Sequence, residues 1–374
     1  MAKKKRSSGS SQAPVSRSAL RRKIDQLDRQ IVDQLNERAD LARQWAAMAS
    51  GAEPAASAIN LSQDLVDQAA NPKRVTNPGP LSDTAVQAVL RELASGTRAL
   101  LTTTRVAFLG PEYTYSHLAA LHRFGQSVEL VPVGSIAAVF EEVYTRQADF
   151  GLVPVENSTD GRVADTLDMF AKLSVKICGE VPLRIHHNLL GRGPRTAVQT
   201  VYSKPQALSQ CRNWIAKHLP AATTSEVAST ADAARMAQQN PAVAAIASAE
   251  AGVQYGLEVL AANIEDNPGN LTRFAVISGV DASATGDDKT ALMLELEHRP
   301  GALADAMAIF KRNRLNMTWI ESFPIPGHAG RYLFFVECEG HRADLRVRRA
   351  LSSLEKKATR LEILGSYARS EPIG

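Results

Sequence analysis

The stretch Glu265-Asp266-Asn267-Pro268-Gly269-Asn270-Leu271-Thr272-Arg273-Phe274 is polar and loop-like, and it runs straight into an apolar strand, Phe274-Ala-Val-Ile-Ser278. A hydroxyl and a guanidinium therefore stand side by side at the mouth of a strand. The guanidinium offers a planar fork that matches a carboxylate, and the hydroxyl can donate or accept. The expected chemistry is capture of a small carboxylate. Taken alone, Thr272-Arg273-Phe274 is an ordinary strand start, but three further polar clusters accompany it. Gly110-Pro-Glu-Tyr-Thr-Tyr-Ser-His117 and Pro154-Val-Glu-Asn-Ser-Thr-Asp-Gly161 both lead into helices, and the third is Tyr202-Ser-Lys-Pro-Gln206. Helix N-termini present unpaired N–H groups and the positive end of a dipole, which suits an anionic ligand. One such cluster is most simply a cap or a turn; four in one region point to a site.

Alternating strands and helices from Arg105 position these clusters. Val106–Leu109, Val128–Val133, Phe150–Val155, Val175–Ile177 and Leu183–Leu190 read as strands with helices between them. A second α/β set follows, with strands near Thr200–Tyr202 and Ala244–Ile246 and helices over Ala207–Lys217 and Ala231–Gln239. In open α/β sheets ligands bind at the strand ends, where the four clusters fall. Asp281–Asp288 is a linker, and the order after it is βαββαβ, closing with Leu361–Leu364. Before Arg105 the chain is helical. Leu20, Ile24, Leu27, Ile31 and Leu35 recur at helical spacing, and the pattern continues through Leu41, Trp45 and Met48. A helix near Leu61–Ala70 and another over Leu81–Leu101, with Ser82 as N-cap, complete this part.

The chain has 374 residues, 44% hydrophobic and 22% charged, an ordinary composition for a protein of several domains. No apolar run approaches the roughly 18 residues of a membrane span. The N-terminus lacks the apolar core of a secretory signal, so a cytoplasmic location is expected. Cys178, Cys211 and Cys338 lie far apart, as free thiols do in a reducing compartment. There is no metal-ligand cluster, phosphate loop or dinucleotide fingerprint, so neither metal nor cofactor is expected. Lys3, Lys4, Lys5, Arg6 and Arg17 exceed the whole net charge of +4. The first 19 residues read as a disordered, solubilising basic tail rather than a specific nucleic-acid binder.

Together the four clusters resemble prephenate dehydratase over about residues 105–280. The matching runs are Gly-Pro followed by Thr114-Tyr-Ser116, Pro154-Val-Glu-Asn-Ser158, Tyr202-Ser-Lys-Pro-Gln-Ala-Leu208 and Asn270-Leu-Thr-Arg-Phe274, with Ser229-Thr-Ala-Asp-Ala-Ala and Tyr255-Gly-Leu alongside. Two positions depart: Tyr113 stands where that family usually has Gly, and Lys204 where His is common. The resemblance implies a two-lobed α/β domain like the periplasmic binding proteins. It implies loss of water and carbon dioxide from prephenate, without a cofactor. Thr272 would donate to the leaving hydroxyl, with Arg273, Glu156 and Asn157 as further catalytic candidates and Thr114, Ser116, Ser158, Ser203 and Gln206 lining the cleft. A fully bifunctional chorismate mutase/prephenate dehydratase, an arogenate dehydratase and a non-catalytic amino-acid sensor are the competing readings.

Residues 289–366 resemble an ACT domain, an α+β ferredoxin-like module that binds amino acids between paired subunits. The resemblance implies phenylalanine as effector near Gly301, Ala302, Leu303, Glu321 and Ser322, with Phe323 replacing an Arg of the usual second loop. Residues 20–101 resemble the all-helical chorismate mutase of bifunctional proteins, with Arg21 and Arg38 as site remnants. These two arginines are seventeen positions apart, roughly 25 Å along one helix, so a shared site needs a second chain. A homodimer or homotetramer is expected. The rest of that site departs: Ala49 stands at an expected Lys, Asn60–Asp64 lacks the expected Arg, and Leu101 falls near an expected Gln or Glu.

Overall fold

The computed structural model describes residues 16–49, 77–325 and 331–374. The expected tail over residues 1–15, the helix near Leu61–Ala70 and the Asn60–Asp64 run lie outside the described residues. Helix α1 spans Arg17–Ala49, so Arg17-Ser18-Ala19 are helical rather than part of a tail. Arg21 and Arg38 lie on this one helix, and Leu20, Ile24, Leu27, Ile31, Leu41, Trp45 and Met48 are exposed along it. The described residues 16–49 belong to one unit, and those from 77 onward to another.

Within the second unit, α2 (Asp83–Leu101) starts from Ser82, whose hydroxyl accepts from Ala85 N. It packs on the α/β part. Arg98 is buried with its guanidinium 5.6 Å over the Phe124 ring. Glu92 and Ser95 accept from the backbone N–H groups of Gln126 and Ser127. A Cβ on Gly125 (φ 76°) would lie 2.5 Å from Ser95 Cβ, so this helix contact demands glycine.

The first lobe contains β1 (Arg105–Leu109), α3 (Tyr115–Phe124), β2 (Glu129–Val133), α4 (Ile136–Tyr144), β3 (Phe150–Asn157), β4 (Gly161–Arg162), α5 (Ala164–Lys172) and β5 (Lys176–Arg184). The second contains β6 (Asn188–Gly191), β7 (Thr200–Ser203), α6 (Pro205–Gln210), α7 (Arg212–His218), β8 (Thr223–Glu226), α8 (Thr230–Gln239), β9 (Val243–Ala247), α9 (Ala249–Tyr255) and β10 (Glu258–Ala261). The chain then returns to the first lobe as β11 (Leu271–Ser278). The sheets run β2-β1-β3-β11-β5 and β10-β6-β9-β7-β8, and β11 is antiparallel to both neighbours.

The structure differs from the sequence reading in two elements. Lys176–Ile177 of the first expected strand and the start of Leu183–Leu190 are one strand, β5, continuous through a buried Glu180 that Lys289 pairs with at 2.8 Å. The remainder of the expected 183–190 strand is the first crossover between lobes, and β6 resumes at Asn188. The expected helix 207–217 is two helices that meet at Cys211.

The C-terminal domain contains β12 (Asp288–Leu296), α10 (Ala302–Arg312), β13 (Met317–Pro324), β14 (Tyr332–Glu339), α11 (Leu345–Glu355) and β15 (Ala358–Ala368), in sheet order β13-β14-β12-β15. Alternation along β12 decides what each face buries. Leu292 and Leu294 pack with Ile309, Phe310 and Leu354 of the helices. Ala291 and Met293 join Val139, Phe140, Phe170 and Ile277 in one core with the first lobe. The two sheets approach so closely that a Cβ on Gly365 would lie 2.0 Å from Ile177 O. Beyond β15 the chain docks on the edge of β5, where Ile373 N donates to Pro182 O and Arg184 N to Ile373 O.

Candidate functional site

Strands β3 and β11 are neighbours, with Asn157 opposite Thr272 and Glu156 opposite Arg273. Side chains alternate faces with period two, so these pairs fall on opposite sides of the sheet. The expectation that Thr272 and Arg273 clasp one carboxylate side by side is corrected by this alternation.

On the Thr272 face the hydrogen bonds have a readable direction. Asn157 Oδ1 accepts from the backbone N–H groups of Thr159 (2.9 Å) and Asp160 (3.0 Å), which fixes the amide orientation. Its Nδ2 then donates to Thr272 Oγ1 at 2.8 Å and to Asn270 Oδ1 at 3.0 Å. The Thr272 oxygen is thus an acceptor inside the group, and its own proton remains for a ligand. Asn270 Nδ2 donates to Gln210 Oε1 at 2.9 Å, and Gln210 Nε2 donates to Asp160 at 3.0 Å. Gln210 belongs to the second lobe, so this carboxamide ties the lobes together beside Thr272.

Behind Gln210 lies His187, in the crossover between lobes. Its Nε2 is 2.8 Å from Gln210 Oε1 and its Nδ1 is 3.0 Å from Tyr115 OH. Because Gln210 Oε1 accepts, His187 donates from Nε2 in the neutral ring; the Tyr115 hydroxyl donates to His186 O at 2.8 Å, with His187 Nδ1 beside it at 3.0 Å. Burial lowers the His187 pKa, which favours that neutral ring. Glu265, on the returning crossover, accepts from His187 N–H and lies 2.9 Å from His186 Nδ1.

The other expected residues are distributed unevenly around this group. Ser158 links the strands, donating to Gly269 O and accepting from Leu271 N. Thr114 caps α3 and donates to Pro111 O at 2.9 Å, and Ser116 is buried in the first turn of the same helix. Ser203 does not join them: it is fully buried, and its hydroxyl donates to Ile246 O at 2.6 Å. Gln206 is exposed at the start of α6, and it is Gln210, one turn further on the same helical face, that enters the group. Gln210 and His187 were missed because their partners are distant in sequence, while Tyr115, Glu265, Asp160 and Asn270 stood in the quoted clusters without a role. Tyr113 has φ 64°, and its ring meets Tyr255 of the second lobe edge-on at 6.2 Å.

On the opposite face, both carboxylate oxygens of Glu337, from β14, lie 2.6 Å from Arg273 Nη1. Glu156 and Glu180 follow at 3.4 and 3.5 Å, and the guanidinium stands 5.1 Å over the Trp319 ring. Tyr367 OH donates to Glu337 at 2.8 Å. Burial alone lowers the Arg273 pKa, but the Glu337 carboxylate, helped by Tyr367 and Glu180, holds the guanidinium charged.

In the C-terminal domain, Gly301 (φ 80°) leads into α10, followed by Ala302 and an exposed Leu303. Glu321 and Ser322 are on opposite faces of β13: Glu321 pairs with Arg162 of the first lobe, and Ser322 is exposed. Among the described residues no group of three or more His, Cys, Asp or Glu is placed to hold a metal ion.

Residues 106–282 match the family model of prephenate dehydratase, and residues 20–101 match that of chorismate mutase type II. A bifunctional chorismate mutase/prephenate dehydratase from Stutzerimonas stutzeri is 40% identical, covering 94% of this chain and 97% of that protein. Among solved structures, the prephenate dehydratase of Arthrobacter aurescens in complex with L-Phe is 34% identical with a TM-score of 0.67, over 72% of this chain and 92% of that one. The quorum-quenching acylase GqqA is 30% identical with a TM-score of 0.65, over 71% of this chain and 98% of that one.

Proposed function

The chain belongs to the bifunctional chorismate mutase/prephenate dehydratase family, and we propose that its Thr272 face carries out the dehydration of prephenate to phenylpyruvate. In this reaction the ring C–O bond and the bond to the ring carboxylate both break. The electron pair released with carbon dioxide enters the ring, which becomes aromatic, and the hydroxyl leaves as water. Charge balance consumes one proton per turnover. A threonine hydroxyl is a weak acid, so Thr272 holds the departing oxygen by its hydrogen bond while the proton comes from solvent. The observation that carries this reading is the amide of Asn157, which fills the acceptor side of Thr272 and leaves the O–H to point at a ligand. The free N–H groups at the start of α3, where Thr114 is the N-cap and Ser116 lies in the first turn, suit a substrate carboxylate and support a binding role for this turn. Arg273 and Glu156 support the strand from behind.

The acylase likeness suggests Thr272 as a nucleophile, but such a hydroxyl needs an adjacent base. Its partner here is an amide nitrogen, which takes no proton. Arogenate dehydration uses the same arrangement, and a sensor needs no hydroxyl aimed in this way. Turnover of prephenate and arogenate, measured side by side, separates the three: release of phenylpyruvate supports the proposal, and release of neither product defeats it.

The C-terminal βαββαβ unit is read as a ferredoxin-like ACT domain that binds phenylalanine as effector, at Gly301–Leu303 and Glu321–Ser322 across a subunit interface. The exposed apolar stripe of α1 supports a homodimer or homotetramer. Three buried free thiols suit a cytoplasmic enzyme. No described helix is long and apolar enough to cross a membrane. The chorismate mutase-like region is read as weakly active or inactive.

A further inference from the structure

The strand that carries Thr272 is gripped from behind by the C-terminal domain. Arg273 is the next residue, and its guanidinium contacts two side chains of that domain's sheet, Glu337 and Trp319. Glu337 supplies both oxygens at 2.6 Å, Tyr367 holds Glu337 in place at 2.8 Å, and Trp319 stacks at 5.1 Å. Lys289, on β12, occupies Glu180 at 2.8 Å and leaves Glu337 as the nearest carboxylate to Arg273. The Arg273, Glu180 and Glu337 side chains are 11%, 2% and 5% exposed. A buried ion pair of this kind often stabilises no more than apolar residues of the same volume. Its value is more readily found in geometry.

The geometry at this point needs support. The β3–β11 ladder slips register between Arg273 and Phe274, so Glu156 pairs with Arg273 but Pro154 with Phe274, leaving Val155 as the extra residue. Bulges re-aim side chains beside active sites and interrupt the hydrogen bonds that would hold them. Arg273 and Glu156 are the last pair before the slip, and Thr272 and Asn157 are the pair before that. On the β3 side the ladder therefore fixes Thr272 less firmly than it would in a regular strand, although β5 pairs with Leu271–Val276 in unbroken register on the other side, and the Arg273–Glu337 clasp acts one residue away.

We propose that Glu337 is a positioning residue for the dehydration: by fixing Arg273 it holds Thr272 at hydrogen-bonding distance from Asn157, so the C-terminal domain completes the site. This inference rests on Thr272 being the donor to the leaving hydroxyl. The test is steady-state kinetics and thermal unfolding of the full chain carrying Glu337→Gln, Glu337→Asp, Tyr367→Phe or Arg162→Met, with Thr272→Ala in parallel. Glu337→Gln keeps the volume and removes the charge. It should lower kcat about tenfold or more with KM changed less than about threefold, as small misplacements of a catalytic group do. Glu337→Asp keeps the charge and should recover part of kcat, and Tyr367→Phe should lose less than Glu337→Gln. Arg162→Met breaks another ion pair between the same domains and should leave kcat unchanged. If Glu337→Gln does not fold, the Asp and Phe variants carry the same comparison. The inference is overturned if the Glu337 and Tyr367 variants lose melting temperature but keep kcat, or if Arg162→Met lowers kcat equally. Collapse of Thr272→Ala alone would leave the catalytic reading standing and remove only the role of Glu337. A Thr272→Ala variant with normal kcat would remove both.

Discussion

Thr272 and Arg273 share a peptide bond and serve opposite faces of the same sheet. Thr272 accepts from Asn157 at the cleft, while Arg273 is held by Glu337 of another domain. One dipeptide thus joins the reacting centre to the C-terminal sheet, and substitutions at the two positions should have different signatures.

Thr272→Val removes the donor and keeps the shape. The kcat for prephenate is expected to fall about 10²-fold, the usual cost of losing one donor to developing negative charge. KM should change far less, because the hydrogen bond strengthens as the hydroxyl departs. Thr272→Ser should retain most activity. A folded Val variant with near-normal kcat would dismiss the donor role.

Asn157→Asp tests the direction of the hydrogen bonds. One carboxylate oxygen would still accept from Thr159 and Asp160. The other would face Thr272 Oγ1 and Asn270 Oδ1 with no proton to offer. The Thr272 hydroxyl would then donate to the carboxylate instead of to the substrate. The loss of kcat should exceed that of Asn157→Ala, although Asp is the closer isostere. The reverse ranking would show that Thr272 does not depend on the Asn157 amide.

The architecture was legible in the sequence wherever local pattern decides it. Alternating apolar runs marked the lobes, Ser82 marked the start of α2, and the polar clusters marked the β3 and β11 ends. The period-two rule already separates Thr272 from Arg273; their adjacency in sequence obscured it. Other features depend on partners far along the chain. Glu180 passes through the middle of β5 because Lys289 neutralises it, and a local reading breaks the strand there. Gln210 gains its role from Asp160, His187 and Asn270, none of them nearby in sequence. The docking of α2 on α3 hangs on a close approach between Ser95 and Gly125 that leaves no periodic signal.

Stability should fall in mild acid. Burial lowers the pKa values of His117, His122 and His187 below their ordinary 6.5. The unfolded chain then takes up protons below pH 6.5 that the folded protein refuses. Stability is full above that pH and is lost as pH falls toward the folded-state values. The lowered Asp305 and Glu339 act in the same direction but in a window that begins at 4.5 and below. Urea midpoints at pH 7.5 and 5.5 measure the effect, with the lower midpoint expected at 5.5. His187→Asn should narrow the gap. An equal gap in that variant would assign the acid sensitivity to the other histidines.

Phenylalanine should bind the C-terminal domain. Gly301 takes φ 80° at the entrance to α10, and a β-branched residue there is strained by roughly 1–2 kcal/mol. Gly301→Val should therefore reshape the loop and weaken phenylalanine binding about tenfold, since 1.4 kcal/mol is tenfold in Kd. Isothermal titration gives the answer. Absence of binding by any amino acid to the unaltered protein would reduce the loop to a β-to-α turn.

Chorismate should be a poor substrate or none. Rearranging it requires donors that hold a dianion and stabilise charge on an ether oxygen. Arg21 and Arg38 survive, on one helix and too far apart to share a small ligand within a chain. Ala49 stands where the family has a Lys, and Gln63 lies near its expected Arg. Leu101, at the end of α2, occupies the neighbourhood of an expected Gln or Glu. Each hydrogen bond to a charged group contributes roughly 1.5–3 kcal/mol, so two or three missing donors suffice to abolish turnover. The apolar stripe from Leu20 to Trp45 remains, and packing and site chemistry are separate demands on one helix. Deleting residues 1–76, which spares α2 and its Ser82 cap on their α/β support, should alter oligomeric state by light scattering more than it alters dehydratase kcat. A full-length protein that converts chorismate with kcat above about 1 s⁻¹, a rate ordinary for enzymes, would mean that other cations replace the lost groups.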